Sequence, residues 1–459
     1  MSISNSRSRT LSLKRIGAAL LLPFAFAASL ANAQEAVRPS LAGEAAAEAR
    51  RQSIDRIPYN LLVGPVRFRF SATAGLEYND NVNIAEVDEQ EDFIFRPQVN
   101  FNAMWPITQL NTLRFDIGLG YAFYFDHSEY NTNGVLLAPG SQLSFDVFVG
   151  DFRINFHDRF SLEQDPIGEV GEPGLGNVAD YGRFQNTAGV SVLWDLNKAV
   201  ATFGYDHYTF IATNDDFEYL DRNADSLMAS LSVALTSTTG VGVETAYVFN
   251  RYSEDLLNDS NTFSVGAFVE TQVTNYVKVR VAGGYQAISF DDDNVALGPF
   301  PSGFFNNPAN IPAGATVDDN FLIFPDQGDL DDFYANILIS HRINAAFTHR
   351  LSAGHESQLG VNSNYIRLNY IRHTATWNIL NKTLLSTEFF YEDAEESGGF
   401  LNFGEGEELR RYGGAFSLGY QLTRHVTLGA RYQYTQKDSD VLLRDYRQNR
   451  VSLDGTYSF

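Results

Sequence analysis

The sequence predicts an all-β protein, namely a transmembrane antiparallel up-and-down β-barrel of about 18 strands. Three observations predict this fold. From Val66 onward, segments of about ten residues alternate apolar and polar side chains, as strands with one apolar face do. The intervals between these segments are short and long in turn, which is typical of outer-membrane barrels. The last segment carries the alternation to the terminal Phe459.

The first residues have the features of a secretory signal peptide. Basic residues precede an apolar run from Ile16 to Leu30, and Ala31-Asn32-Ala33 follows this run. A basic segment, an apolar segment and a small-residue cleavage site together define such peptides. We therefore predict a cleaved signal peptide over 1–33. An N-terminal membrane anchor is the alternative, although the run is short for a bilayer.

The next segment, 34–64, is polar and includes the stretch EAAAEARR. It predicts a periplasmic linker, since it is too short for a globular plug of the kind that closes large transporters. The barrel is then predicted over 65–459. A soluble β-sandwich or propeller also alternates, but it predicts turns of mixed length on both sides.

The final segment shows the alternation well. Val451, Leu453 and Tyr457 share the face of Phe459, whereas polar side chains occupy the other face. This resembles the C-terminal strand that the barrel-assembly machinery of Gram-negative bacteria recognises, so Phe459 is the predicted assembly signal.

The least regular segment runs from Tyr365 to Asn378, where the apolar phase slips near Arg372. A bulge there explains the slip, and a merged or split strand gives 16 or 20 strands instead.

The stretch ATAGLEYNDNV, from Ala72 to Val82, resembles the opening strand and first loop of the β-barrel porin 2 family. The barrel length and the terminal strand agree with that family. The resemblance implies an outer-membrane barrel that is associated with exopolysaccharide production, and it supplies no catalytic residues.

Composition excludes several classes of protein. The 459 residues include no cysteine and carry a formal net charge of −23, which excludes disulfide scaffolds and thiol enzymes. Such acidity argues against nucleic acid as a partner, because that interaction depends on Lys and Arg. A mean hydropathy of −0.20 and a single long apolar run exclude a helical membrane protein.

The acidic residues concentrate in the long intervals, where the basic residues are only Arg183, Arg222 and Arg444. We expect these intervals to form acidic extracellular loops that contact lipopolysaccharide, with divalent cations as one means of bridging to its phosphates. The predicted loops are 78–92, 126–140, 163–184, 211–224, 253–260, 291–331, 355–362, 394–409 and 438–446.

Charged residues in the polar phase of the strands are predicted to line the lumen, because charges facing lipid are strongly unfavourable. They have two interpretations: arginine–carboxylate pairs that hold the wall, or a wet, somewhat cationic channel that favours anionic or polar solutes. Both can hold at once. The candidates are Arg67, Arg69, Arg96, Arg114, Arg153, Arg159, Arg280, Arg431, Arg450, Asp116 and Asp454.

The interval 291–331 is rich in aspartate, lacks Lys and Arg, and has an apolar centre. Long loops of this kind are usually functional or disordered, and its phenylalanines argue against disorder. We predict that it folds into the lumen or caps its mouth. The candidate ligands for Ca²⁺ or Mg²⁺ are Asp291, Asp292, Asp293, Asp326 and Asp329, although their spacing is not that of an EF-hand and solvated acidity is the alternative.

The predicted function is porin-like passive passage of polar or anionic solutes across a bacterial outer membrane, with a link to exopolysaccharide export. A closed structural or adhesion barrel is the first alternative. An outer-membrane lipid hydrolase is the second, but no His lies in an H-E-x-x-H motif and no G-x-S-x-G motif occurs. We therefore predict neither catalysis nor a cofactor.

Overall fold

The computed structural model describes residues 59–167, 172–318, 320–380, 382–400 and 404–459. Its main element is a closed antiparallel barrel of 18 strands. The predicted signal peptide 1–33 and residues 34–58 of the linker lie outside the described residues. No helix in the described ranges is long and apolar enough to cross a bilayer.

The barrel strands are β1 Val66–Asn79, β2 Asp92–Pro106, β3 Thr112–Gly120, β4 Leu136–Val149, β5 Phe152–Glu163, β6 Arg183–Asp195, β7 Ala199–Ala212, β8 Arg222–Ala234, β9 Thr239–Tyr252, β10 Ser260–Gln272, β11 Val277–Phe290, β12 Leu330–Arg342, β13 Phe347–Leu359, β14 Tyr365–Leu380, β15 Thr383–Glu396, β16 Glu408–Gln421, β17 Val426–Ser439 and β18 Tyr446–Ser458. Short strands at Leu61–Val63 and Phe123–Tyr124 extend this sheet. A separate three-stranded sheet comprises Asn294–Leu297, Thr316–Asp318 and Phe321–Pro325.

The barrel closes through the pairing of its first and last strands. β1 pairs with β18 from Ser71↔Ser458 to Asn79↔Arg450, and every other long strand pairs with its neighbours in the chain. The topology is therefore up-and-down, and the predicted count of 18 strands is confirmed.

The predicted bulge near Arg372 is wrong. Arg372 pairs in regular register with Ser352 and Phe390, and the irregularity of β14 falls between Asn378 and Leu380, beside the turn. The phase slip has another cause. Near the long-loop end of β14 the inward face is apolar as well, because Ile366 and Leu368 pack there in a small buried cluster.

The two ends of the barrel differ in their connections. One end has the short turns 107–111, 150–151, 196–198, 235–238, 273–276, 343–346, 381–382 and 422–425. The other end has nine loops: L1 80–91, L2 121–135, L3 164–182, L4 213–221, L5 253–259, L6 291–329, L7 360–364, L8 397–407 and L9 440–445. We call this second end the long-loop mouth. This division matches the short periplasmic turns and longer extracellular loops of outer-membrane barrels.

The outer surface of the wall is apolar. Large side chains in the outward phase of the strands are exposed, such as Leu76, Leu227, Val281 and Phe416. An apolar belt of this extent around a protein is unfavourable in water and matches the lipid-facing band of a membrane barrel.

Aromatic side chains mark both edges of this belt. The three tryptophans, Trp105, Trp194 and Trp377, are exposed near the ends of strands that lead into short turns. Near the long loops, Tyr78 donates a hydrogen bond to Glu91 at 2.5 Å, and Tyr285 likewise donates to Asp331. Aromatic girdles with one polar end sit at the boundaries between lipid and water.

The outward phase of β8 provides a test of the lipid-facing belt. We expect Leu227→Arg to destabilise the barrel by about 2–4 kcal/mol, because the guanidinium then lies near the middle of the bilayer. Urea titration of protein folded into vesicles measures this change. As the control, Ser226→Arg places the same charge on the inward face and should cost much less. Equal losses in the two variants would contradict the assignment of the faces.

Candidate functional site: a charged lumen under a loop cap

Five of the predicted lumen arginines form ion pairs with carboxylates. The pairs are Arg153 with Asp146 at 3.0 Å, Arg280 with Glu244, Arg431 with Glu388 at 3.1 Å, and Arg96 and Arg450 with Glu77 at 3.4 and 3.0 Å. The partners lie on neighbouring or nearby strands. For these residues the wall-holding interpretation applies, because each guanidinium has a carboxylate partner.

The other predicted lumen arginines differ. Arg69, Arg114 and Arg159 form no ion pair with any residue in the described ranges, and Arg69 and Arg159 are exposed. Arg67 lies over the ring of Tyr59, 5.5 Å from its centroid. On Arg69, Arg114 and Arg159 the inner wall therefore carries positive charge that carboxylates of the described residues do not pair with.

The two predicted acidic residues of the wall also lack arginine partners in the described chain. The carboxylate of Asp116 accepts hydrogen bonds from the amides of Asn102 at 2.8 Å and Gln142 at 3.2 Å. Asp454 lies against Gly429 of the adjacent strand, in the space that a larger side chain would need.

Loop L3 runs inward across the barrel. Its Asp165 contacts Arg450 on β18 at 2.6 Å and Arg96 on β2 at 3.7 Å. L3 connects β5 to β6, so β2 is three strands away around the wall and β18 is five. The contacts therefore require L3 to cross the interior. The prediction that 291–331 is the obstructing segment missed this loop.

A second set of contacts holds L3 on the far side. The carbonyl of Gly174 accepts hydrogen bonds from Asn362 on L7 at 3.0 Å and from Arg444 on L9, and the carbonyl of Leu175 accepts one from Lys437 at 3.2 Å. We call the segment Gly174–Leu175 and these three donors the L3 latch.

A buried charge cluster supports the latch. Glu407 of L8 pairs with Lys437 at 2.7 Å and Arg444 at 3.0 Å, and all three side chains are almost completely buried. Burial favours the neutral acid, yet the two cations outweigh it and lower the pKa of Glu407 below its usual range. Glu407 is therefore ionised at neutral pH.

Gly174 is required by close packing. A Cβ atom at this position would lie 2.5 Å from a carboxylate oxygen of Glu396. Glu396 is buried, and neither of its carboxylate oxygens has a hydrogen-bond partner in the described chain. A side chain at 174 would therefore require either the carboxylate of Glu396 or L3 to shift.

Apolar residues from several loops form one buried cluster, which we call the cap. Since the contributing loops enter from different sides of the wall, the cluster lies across the long-loop mouth. Loop 291–331 contributes to it, as its predicted capping role requires. The cap comprises Ile84, Ile167, Leu175, Tyr181, Phe210, Phe217, Leu220, Leu257, Val295, Leu322, Phe324, Val361 and Tyr446, with Phe300, Phe305 and Phe400 packed against it.

The three basic residues of the predicted loops belong to this assembly. Arg444 is in the latch, Arg183 lies over the ring of Tyr181 at 4.8 Å, and Arg222 lies over the ring of Phe210 at 5.0 Å. The sequence shows how few these residues are but assigns them no role. Their scarcity among so many carboxylates was the available indication that they are structural.

The aspartates proposed as metal ligands mostly support loop backbone. Asp292 accepts from the amide of Asp293, Asp329 from that of Phe290, and Asp326 from that of Asn364. Burial raises the pKa of Asp326. In the described chain, no three His, Cys, Asp or Glu side chains are grouped to hold a metal ion, so a site at Asp291 and its neighbours stays a prediction.

The strongest hydrolase-like grouping has the wrong order. Asp332 accepts hydrogen bonds from Ser357 at 2.9 Å and lies 3.1 Å from a ring nitrogen of His355. The serine thus contacts the carboxylate, whereas a triad needs the histidine between them. This grouping does not support nucleophilic catalysis.

The fold and this geometry define the class: an 18-stranded up-and-down β-barrel with an apolar exterior, a charged interior and a capped mouth. No protein-family model and no curated protein sequence matches the chain, so the resemblance to the β-barrel porin 2 family is not confirmed.

Solved structures with partial similarity to this chain include a bacterial outer-membrane protein. Pseudomonas aeruginosa OpdK has 10% identity and a TM-score of 0.44, covering 85% of this chain and 99% of that one. P. aeruginosa OccK2 (OpdF), solved with glucuronate, has 11% identity and a TM-score of 0.45, covering 87% and 100%. Acinetobacter baumannii OccAB4 has 11% identity and a TM-score of 0.42, covering 86% and 98%. At this level of similarity, function has to be argued from the chain's own residues.

The buried carboxylate of L8 provides a test of the latch. We expect Glu407→Ala to destabilise the local fold by about 3–5 kcal/mol, because it leaves Lys437 and Arg444 buried without a counterion. Hydrogen exchange of residues 172–182 should then become faster. In the control variant, Asp393→Ala breaks an exposed pair with Arg410, which is worth about 1 kcal/mol or less. Unchanged exchange in Glu407→Ala would refute the latch.

Proposed function

We propose that this protein is an outer-membrane channel for passive passage of small polar solutes, with a preference for anions. The observation that carries the proposal is the set of wall arginines without carboxylate partners in the described chain: Arg69, Arg114 and Arg159. A barrel of about 18 strands has room for an aqueous path unless loops fill it. Positive charge on a low-dielectric wall concentrates anions.

The cap and L3 narrow this path at the long-loop mouth. The buried cap residues restrict the space between the loops, so a wider path requires movement of L3, L6 or both. We therefore propose a channel that conducts through a narrow route and opens further when the cap separates.

A closed structural or surface-adhesion barrel is the second candidate. The cap itself favours it, because a buried apolar cluster supported by a buried ion cluster is suited to permanent closure. The acidic loops would then present the functional surface.

The cellular setting is also a proposal. The apolar belt supports an outer-membrane location in contact with phospholipid and lipopolysaccharide. The amide of Phe459 donates to the carbonyl of Phe70 at 3.2 Å, which places the terminal residue beside β1. That the barrel-assembly machinery recognises Phe459 stays a prediction from the sequence. The link to exopolysaccharide machinery stays a prediction from the sequence resemblance.

Planar-bilayer recordings distinguish the two candidates. Replacing residues 295–325 by a short Gly-Ser linker removes Val295, Leu322 and Phe324 from the cap, and we expect a larger single-channel conductance than in the wild type. Leu442→Asp is the control, because Leu442 is 89% exposed on L9 and outside the cap. It should leave the conductance unchanged. A wild type and a loop variant that are both silent would favour the closed barrel.

A further inference from the structure

We propose that the inner wall of β1, β2 and β3 carries a binding site for a small soluble oxyanion, either a carboxylate or a phosphate. This inference rests on the proposed function and specifies the solute class and its position. A cavity of about 230 Å³ lies here, and its charged lining residues are Arg67, Arg69, Arg114 and Asp116.

Strand register brings the three arginines together. Arg67 pairs with Met104, which pairs with Arg114, so these two arginines flank Met104 in one row. Arg69 pairs with Asn102 and Asn102 with Asp116 in the adjacent inward row. Strands lie about 4.8 Å apart, so the arginine backbones of one row are about 10 Å apart across the cavity. Arginine side chains are long enough for two guanidinium groups to meet over that distance.

Two of the arginines that line the cavity, Arg69 and Arg114, have no carboxylate partner in the described ranges. The only carboxylate in its lining, Asp116, is held by the amides of Asn102 and Gln142 rather than by an arginine. Arg69 and Arg114 have no ion pair in the described ranges, and the Nε atom of Arg114 is buried without a hydrogen-bond acceptor there. Positive charge and donor capacity therefore remain for a ligand.

The chemistry of these donors selects an oxyanion. A guanidinium binds carboxylate or phosphate oxygens with two parallel hydrogen bonds, which a halide ion cannot accept in the same way. Met104 adds an apolar wall that suits the carbon part of an organic acid.

The site lies at the end of the barrel opposite the cap. Arg67 is the second residue of β1, and Arg114 is the third residue of β3 after the short turn 107–111. A solute entering from the short-turn side reaches the arginines without passing L3. The cap and the site are thus separate features of one lumen, and binding does not need the cap to open.

The test is calorimetric titration of the full-length protein in an uncharged, phosphate-free detergent, with inorganic phosphate and with acetate as probes. We expect the wild type to bind, and the double variant Arg69→Gln/Arg114→Gln to bind about tenfold more weakly or worse, because it loses charge-assisted hydrogen bonds. Arg114→Lys keeps the positive charge but loses the two parallel donors of the guanidinium. It should therefore weaken binding, although less than Arg114→Gln does.

Arg153→Gln is the matched control. Arg153 is also the second residue of its strand, and its charge is already balanced by Asp146 at 3.0 Å. We expect the affinity of this variant to stay within about twofold of the wild type, because Arg153 does not line the cavity. Heat-modifiable migration on gels confirms that each variant is folded.

The outcomes separate this site from the proposed passage. No binding to the wild type, or equal binding to the wild type and the double variant, overturns the site. Binding that depends on Arg69 and Arg114 supports the site even if bilayers with the wild type and the loop variant stay silent, and then only passage fails. Conductance without phosphate or acetate binding supports passage and overturns the site.

Discussion

Pairing of every backbone amide and carbonyl along the wall is the constraint on which the structure depends. Lipid offers no hydrogen-bond partners, so a sheet in a bilayer must close on itself. The register between β1 and β18 achieves this closure. Once the sheet is closed, the period of two forces alternate side chains outward or inward. The apolar belt and the charged lumen are therefore two consequences of one backbone arrangement.

Charged side chains of the interior are stabilised in two ways, either by ion pairs or by exposure to water. Most wall arginines have carboxylates beside them, and in the buried cluster Glu407 pairs with both Lys437 and Arg444. Buried ions without partners are strongly unfavourable, so Lys437 and Arg444 depend on the carboxylate of Glu407 beside them. The unbalanced arginines Arg69 and Arg159 are in contrast exposed. Water screens the charge of these arginines until a solute displaces the water.

The fold was predictable from the sequence because alternation and loop lengths are local properties. Strand number, closure and the two faces follow from them. The phase slip near Arg372 instead led to the wrong prediction of a bulge, because Ile366 and Leu368 pack inward beneath the loops. The types of residue that line the candidate site were predictable from the sequence, but the pairs that they form were not. Whether Arg450 meets Glu77 or Arg153 meets Asp146 depends on register, and the crossing of L3 depends on contacts between Asp165 and strands distant in sequence.

The placement of Trp105, Trp194 and Trp377 at one rim makes the intrinsic fluorescence of this protein one-sided. All indole emission arises near the boundary between the short turns and the adjacent leaflet, and none arises from the cap. A quencher attached to lipids of that leaflet reaches every emitter, whereas one confined to the opposite leaflet reaches none. Tryptophan fluorescence can therefore report which rim of the barrel has crossed the bilayer during insertion.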